Sequence, residues 1–295
     1  MATHRDSGGF VGAVGAQEGR PLPGIQPPRR RAKVSLHERI FERDVLLGWG
    51  TIAAVLVAWE MVARSGFLPR WAFPSLFEVV GAFLELTLDK TLFVHTGASL
   101  FRQITGVILA GVAGVILGVA TGISPILRAA LLPLCRLLYP IPGIAWIPIA
   151  ILWMGIGFKS TVFVVFFTGL WPTLFNTQAG ILSLEAQYTD VAKVYLADRS
   201  FYIRHVVLPG ALPFILTGLR LTYGVGWRVI VGAEIISSIT GLGFMLDDAR
   251  WQLRPDILVL GMAMIALIGW TFDRYLFGTL ERATLQKWGM QSRSV

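Results

Sequence analysis

Six long apolar segments limit this chain to a small number of folds. Each is bounded by polar residues, and together they cover residues 45–62, 104–123, 129–154, 162–181, 212–238 and 257–276. An α-helix needs about 20 apolar residues to cross a bilayer, and the segments lack the period-2 alternation that is typical of membrane strands. The sequence therefore predicts an all-α integral membrane protein with about six transmembrane helices.

The composition also favours lipid as the solvent of this chain. Hydrophobic residues make up 54% of the sequence and charged residues 15%, whereas soluble domains are about 25% charged. The net charge of +8 does not indicate nucleic-acid binding, because the basic residues lie mainly at the ends of apolar segments. The single cysteine excludes an intrachain disulfide, and the four histidines lack metal-ligand spacing. We predict neither a metal site nor a cofactor.

The first 44 residues differ from the rest of the chain. They are rich in glycine, proline and arginine, which predicts a largely disordered tail that ends in a short interfacial helix. We assign residues 1–44 to a cytoplasmic tail, 45–288 to the transmembrane domain and 289–295 to a second cytoplasmic tail. Between the first two apolar segments, residues 74–100 predict one or two short helices at the outer surface.

The distribution of basic residues predicts the orientation. If the N-terminus is cytoplasmic, 17 of the 26 lysines and arginines fall in inner segments and 7 in outer segments. Cytoplasmic loops carry an excess of these residues. Both termini are therefore predicted to lie in the cytoplasm.

The second apolar segment carries a stripe of small residues. Its members are four apart in sequence and so share one helix face: Gly106, Ala110, Gly114, Gly118 and Gly122. Small residues let a neighbouring membrane helix approach closely. The stripe predicts a tight helix–helix contact.

The third apolar segment contains four prolines, at positions 133, 140, 142 and 148. Proline removes a backbone donor and bends or breaks a helix. Transporters place broken helices beside the substrate path. We predict that Trp146 and Pro148 line such a path, with a kinked structural helix as the alternative.

The fifth apolar segment contains Arg220, Arg228 and Glu234. A charge at the centre of a membrane helix costs roughly 2.5–3.5 kcal/mol on insertion scales, so each needs a partner, water or a route to the interface. Arg228 and Glu234 are six residues apart and cannot pair on one helix. The sequence slightly favours a structural ion pair with another helix for each of them. The second interpretation is that both line the substrate path, where arginine would suit an anion.

The polar segment after the fourth apolar segment resembles a known motif. It reads Asp190-Val191-Ala192, three residues, Leu196, nine residues, then Val206-Val207-Leu208-Pro209. Binding-protein-dependent ABC importer permeases carry Glu-Ala-Ala, three residues, Gly, nine residues, then Ile-x-Leu-Pro. The spacing is the same, but Leu196 stands where the family has glycine, which tolerates a positive-φ turn that leucine disfavours.

The resemblance extends over residues 45–288 and is specific to the nitrate, sulfonate and taurine branch of these permeases. It rests on Phe73-Pro-Ser75, Ser99-Leu-Phe-Arg102, Pro142-Gly-Ile-Ala-Trp-Ile-Pro148, Gly155-Ile-Gly157, Ala233-Glu-Ile235 and Gly241-Leu-Gly243. It implies a type I ABC importer permease architecture in the bacterial inner membrane. It also implies a small, anionic solute of the nitrate, bicarbonate, taurine or sulfonate class.

The resemblance implies the partners as well. The polar segment would be the coupling helix that docks on a separate ATPase, through Asp190, Val191, Ala192, Val194, Tyr195, Leu196, Ala197 and Pro209. Two ATPase subunits, a second permease copy and an extracytoplasmic solute-binding protein would complete the importer. The permease itself would be a homodimer.

The sequence does not indicate an enzyme. It lacks the Gly-x4-Gly-Lys-Ser/Thr phosphate loop and paired catalytic carboxylates, so ATP hydrolysis is expected on another subunit. Two other functions remain open. An ion-gradient-driven secondary transporter would need internal repeats or intramembrane acids, and an intramembrane enzyme would need a converging polar site.

Overall fold

The computed structural model describes residues 43–69, 71–184 and 198–280 of the chain. These residues form α-helices and connecting turns, without a β-strand. The helices of eight or more residues are α1 (Arg43–Arg64), α2 (Leu76–Leu88), α3 (Thr91–Ile123), α4 (Pro125–Leu138), α5 (Ile147–Met154), α6 (Phe158–Leu182), α7 (Leu208–Ser237), α8 (Leu242–Trp251) and α9 (Pro255–Thr271). By backbone proximity the chain divides into residues 1–54 and 55–295, and helices α2 to α9 all belong to the second unit.

The described residues contain five helices that are long and apolar enough to cross a membrane. They run over Leu47–Arg64, Thr91–Ile123, Phe158–Leu182, Ile203–Ser237 and Pro255–Leu280. A sixth span is broken: α4 and the segment Gly143–Met154 meet at an angle of 94°. The predictions of about six spans and of a break in the proline-rich segment are confirmed.

The start of the second span was predicted incorrectly. Residues 74–100 were expected to form one or two short helices at the outer surface, and α2 is a short helix within this range. Residues 91–100, however, belong to α3, which begins 13 residues before the predicted boundary at 104. The polar residues Ser99, Arg102 and Gln103 interrupt the apolar pattern there. All three are buried inside the subunit, so hydropathy alone does not detect this part of the helix.

The stripe of small residues on α3 packs against α6, as predicted. A Cβ atom added at Gly114 would lie 2.7 Å from the Cβ atom of Thr173, and one added at Gly118 would lie 2.6 Å from that of Thr177. Real Cβ atoms do not approach this closely. The backbones of α3 and α6 can therefore lie this close only because glycine has no side chain at these positions.

Helix α6 also packs closely against α7. The hydroxyl of Thr222 donates to the carbonyl oxygen of Gly169 at 2.6 Å and lies 2.7 Å from the hydroxyl of Thr173. A Cβ atom at Gly218 would lie 2.9 Å from the Cα atom of Thr173. Helix α6 thus lies between α3 and α7, and these three helices form the core of the subunit.

We expect Gly118→Leu to destabilise the subunit, because the added side chain has no space against α6. Overpacking of a well-packed core typically costs about 1–3 kcal/mol. Thermal unfolding of the purified protein in detergent measures the effect. Gly97→Leu is the matched control on the same helix, because nothing lies within 4 Å of a Cβ atom at Gly97. Equal unfolding temperatures for the two variants would contradict the predicted contact.

Candidate functional site

Arg228 lies on α7 nine residues before the helix ends at Ser237. At 1.5 Å per residue this is about 14 Å along the axis, close to the middle of a hydrocarbon core of roughly 30 Å. The side chain is exposed, and it has no hydrogen bond or ion pair with any residue in the described part of the chain. Within the described residues, Arg228 is therefore a cation without a partner at mid-membrane depth.

The face of α7 that carries Arg228 is exposed at several other positions. Thr217, Leu221 and Ile235 are exposed on the same face, at helical spacings of four and seven residues. Gly224 lies among them, and nothing is within 4 Å of a Cβ atom built there. This face points away from the core formed with α3 and α6.

The turn of the broken span lies beside this face. A Cβ atom at Gly143 would lie 2.9 Å from the Cγ2 atom of Val229, and one at Gly232 would lie 3.4 Å from the Cδ1 atom of Ile144. The short 3₁₀ helix Gly143–Trp146 is therefore packed on α7, next to the residue that follows Arg228. The proline-rich break and the central arginine occupy neighbouring positions.

The two predicted path residues of the broken span differ in exposure. Trp146 is half-buried, and its ring packs against that of Phe167 in α6, with centroids 4.3 Å apart and an angle of 51° between the ring planes. Pro148 is exposed in the first turn of α5. The structure thus brings the elements that carry Trp146, Pro148 and Arg228 together, while their role in a substrate path stays a prediction.

Glu234 lies on a different face of α7 from Arg228, inside the subunit, with no exposed surface. Its carboxylate accepts hydrogen bonds from Arg102 Nη1 at 2.9 Å, Ser99 Oγ at 2.8 Å and the backbone N–H of Gly243 at 3.0 Å. The partner of Glu234 is therefore Arg102 on α3. This is the ion pair with another helix that the sequence left open as the alternative to a place in the substrate path.

The same network fixes the start of α8 to α3. Arg102 also donates to the carbonyl oxygen and the hydroxyl of Thr240, each at 2.7 Å. Ser99 Oγ accepts from the backbone N–H of Leu242 at 2.7 Å, and His95 Nδ1 accepts from that of Gly241 at 3.0 Å. Gly241 has φ +117°, and a Cβ atom there would collide with the Glu234 carboxylate. The backbone N–H groups at the start of α8 are thus satisfied by side chains from α3 and α7.

From the sequence we did not predict that His95, Ser99 and Arg102 act together. Their spacing of four and three residues places them on one face of a helix, which is a signal that sequence reasoning could have used. Their partners, Glu234 and the segment from Thr240 to Leu242, are distant in sequence. The hydrogen bond from Ser99 to Glu234 spans 135 positions.

The third charged residue of the fifth apolar segment also has a partner. Arg220 donates from Nε and Nη2 to the two carboxylate oxygens of Asp273, at 2.6 and 2.7 Å. Both side chains are about half-exposed. The pair joins α7 to the π-helical turn Phe272–Phe277 that follows α9.

The predicted ATPase-coupling residues Asp190, Val191, Ala192, Val194, Tyr195, Leu196 and Ala197 lie outside the described residues. The described chain resumes with the helical turn Arg199–Tyr202, continues through the π-helical turn Ile203–Val207 and enters α7. Pro209 follows the π-helical turn directly, in the first turn of α7, and it lacks the backbone N–H that would continue the helical hydrogen bonds. The coupling assignment stays a prediction.

Comparison with known sequences places this chain among transporter components. Residues 110–275 match the family described as the binding-protein-dependent transport system inner membrane component. The taurine transport system permease protein TauC of Escherichia coli is 34% identical over 247 residues, which cover 82% of this chain and 90% of that protein. The bicarbonate transport system permease protein CmpB of Synechococcus elongatus is 36% identical, covering 83% and 89%. The nitrate import permease protein NrtB of Synechocystis is 31% identical, covering 86% and 93%.

A solved structure supports the fold. A chain from the inward-facing MetNI methionine ABC transporter matches with a TM-score of 0.51 at 15% identity, covering 66% of this chain and 98% of that one. At this identity the match concerns the fold alone. Together with the sequence relatives, it confirms the resemblance that the motifs indicated. The chain belongs to the family of binding-protein-dependent transport system inner membrane components.

Proposed function

We propose that this chain is the permease subunit of an ABC importer that moves a small anionic solute into the cytoplasm by alternating access. The nitrate, bicarbonate, taurine and sulfonate permeases among its relatives support this solute class. The proposal rests mainly on one observation: the Arg228 side chain is exposed at mid-membrane depth and has no partner among the residues that the structure describes.

A charged side chain facing lipid at this depth is costly, so intramembrane arginines almost always face a bundle interior or a water-filled cavity. Arg220 and Arg102, the other arginines of α7 and α3, have carboxylate partners. Arg228 has none in the described part of the chain. Its open face is therefore best explained as one wall of an aqueous path.

Arginine at such a position favours an anion. The guanidinium group carries a fixed charge and presents donors in a planar fork that matches oxyanions. Nitrate, bicarbonate and the sulfonate group of taurine all present oxygen atoms in a geometry that this fork can bind. The neighbouring turn Gly143–Trp146, with Trp146 and Pro148, would form the adjacent wall of the path.

The open face of α7 also supports a homodimer. One subunit leaves Arg228 on its surface, whereas a second copy related by a twofold axis would enclose the path between two α7 helices. Twofold symmetric dimers are the commonest homo-oligomers. In this arrangement each copy would contribute one arginine to the path.

We assign ATP hydrolysis to two separate ATPase subunits that dock on the segment around Leu196. An extracytoplasmic solute-binding protein would deliver the solute, and the complex would lie in the bacterial inner membrane with both termini of the permease in the cytoplasm. The excess of basic residues in the predicted inner segments supports this orientation. Residues 1–44 and 289–295 would then be cytoplasmic tails.

The structure weakens the case for a secondary transporter. Such a transporter would need an intramembrane acid that exchanges its ion or proton during the cycle. Glu234 was the candidate acid, but its carboxylate is fully buried and hydrogen-bonded to Arg102, Ser99 and Gly243. We therefore infer that Glu234 stabilises the subunit rather than contacting the solute.

We expect Arg228→Ala to abolish solute uptake and to leave assembly and basal ATP hydrolysis unchanged, because the side chain has no partner within the described subunit. Uptake into proteoliposomes and ATPase activity of the purified complex measure the two effects. Arg228→Lys keeps the charge but loses the fork, so partial uptake is expected. Normal uptake by the alanine variant would refute a role for Arg228 in the path.

Arg102→Ala should behave in the opposite way. It leaves the buried carboxylate of Glu234 without its cation, and breaking a buried pair in this way typically costs about 3–5 kcal/mol, on the order of a protein's net stability. Thermal unfolding in detergent and membrane yield should both fall. An Arg102→Ala variant with unchanged stability and lost uptake would instead assign this pair to the solute path.

The coupling assignment is tested at Leu196. Leu196→Asp should detach or uncouple the ATPase subunits without disturbing the spans, because loss of a central apolar anchor commonly costs about 2 kcal/mol or more at an interface. Leu196→Gly restores the family residue. Weaker ATPase binding by the glycine variant would identify Leu196 as an anchor, whereas equal or stronger coupling would identify it as a tolerated turn residue. Co-purification of the ATPase measures both.

A further inference from the structure

The corner between α8 and α9 holds a leucine in an unfavourable backbone conformation. Leu253 has φ +54°, and 71% of its surface is exposed. Its N–H donates to the carbonyl oxygen of Arg250 at 3.2 Å, and the N–H of Arg254 donates to that of Ala249 at 2.9 Å. These two bonds define a Schellman cap, whose left-handed position is usually glycine.

Leucine disfavours this position because its Cβ atom crowds the following carbonyl oxygen. Glycine or asparagine would form the same cap with less strain. Strained residues of this kind cluster at sites of function. The stability of the cap therefore does not explain why leucine occupies this position.

A second large apolar side chain lies two residues before Leu253 in the same corner. Trp251 is 75% exposed, and its orientation is fixed on both sides. The indole Nε1 donates to Asp247 Oδ2 at 3.3 Å, and the guanidinium of Arg250 lies 4.9 Å from the ring centroid. The corner therefore presents two apolar groups in a defined arrangement, one held by its backbone and one by its neighbours.

The corner is anchored to the rest of the subunit. Leu242, Met245 and Ala249 on the inner face of α8 are buried in the main core. Arg254, the residue after Leu253, donates to Glu85 on α2 at 2.9 Å and to Asp256 at 2.7 Å. A partner that binds this corner would thus contact a rigid surface.

We propose that Trp251 and Leu253 form the docking site for the solute-binding protein, an inference that rests on the importer function proposed above. The spanning helix Ile203–Ser237 separates this corner from the coupling segment, so a cytoplasmic coupling segment places the corner outside. Two apolar anchors inside a polar rim are typical of protein interfaces.

The charge of the rim favours a protein over the membrane surface. Around the two apolar side chains, the carboxylates of Glu85, Asp247 and Asp256 outnumber the guanidinium groups of Arg250 and Arg254. Anionic lipid headgroups attract basic rather than acidic segments. A partner protein with an apolar pocket matches the corner better than a lipid surface does.

The test uses Leu253→Asn and Leu253→Gly in the full complex reconstituted in nanodiscs. Both residues tolerate the left-handed conformation, so the unfolding temperature should stay equal or rise. Affinity for the solute-binding protein should fall at least tenfold, and Leu253→Met should retain it. Unchanged affinity in the asparagine and glycine variants would refute the proposal. A lower unfolding temperature would also refute it, because the leucine would then serve the fold.

Two measurements distinguish a docking role for this corner from a failure of the importer function and from burial in lipid. If the unaltered complex binds no solute-binding protein, the importer function itself fails rather than this site. A spin label at Leu253→Cys, in a Cys135→Ala background, reports the surroundings of the corner. Access to a water-soluble nickel relaxation agent is expected, whereas access to oxygen alone would assign the corner to lipid and overturn the proposal.

Discussion

The hydrocarbon core of a bilayer offers no hydrogen-bond partners, and this constraint explains how the charged residues of the spans are arranged. Arg102 and Glu234 are buried together and form hydrogen bonds with each other and with Ser99, Thr240 and the start of α8, while Arg220 is held by Asp273. A bilayer tolerates such groups when protein replaces water around them. Arg228 departs from this pattern in the described part of the subunit, which is why it carries the functional argument.

The same solvent explains the close contacts of the core helices. Apolar side chains gain little by leaving lipid for a helix interface, so association depends on van der Waals packing and on hydrogen bonds between helices. Glycines along α3 admit the Thr173 and Thr177 side chains of α6, and threonine hydroxyls join α6 to α7. These contacts make α3, α6 and α7 a rigid unit. Flexibility is then expected at the broken span, where proline removes backbone donors.

Local patterns in the sequence predicted the spans, the close-packed stripe on α3 and the break at the prolines, because each depends on residues near one another in the chain. Contacts between distant residues were not predictable in this way. Arg102 and Glu234 are 132 positions apart, and one sequence gives no means of pairing them. The start of α3 was missed for a related reason. Its polar residues lower the local hydropathy, yet each is buried against another part of the fold.

The six residues between Arg228 and Glu234 turn α7 by about 600°, or some 240° around the axis at 3.6 residues per turn. The two charges therefore lie about 120° apart around the helix axis and face different sides of the helix. Glu234 fixes α7 to α3 and to the start of α8, and Arg228 faces the open side beside the broken span. A movement of the unit containing α3 and α7 would carry the arginine with it. Any displacement of the start of α7, where Pro209 lies, would therefore also change the position of Arg228 in the proposed path.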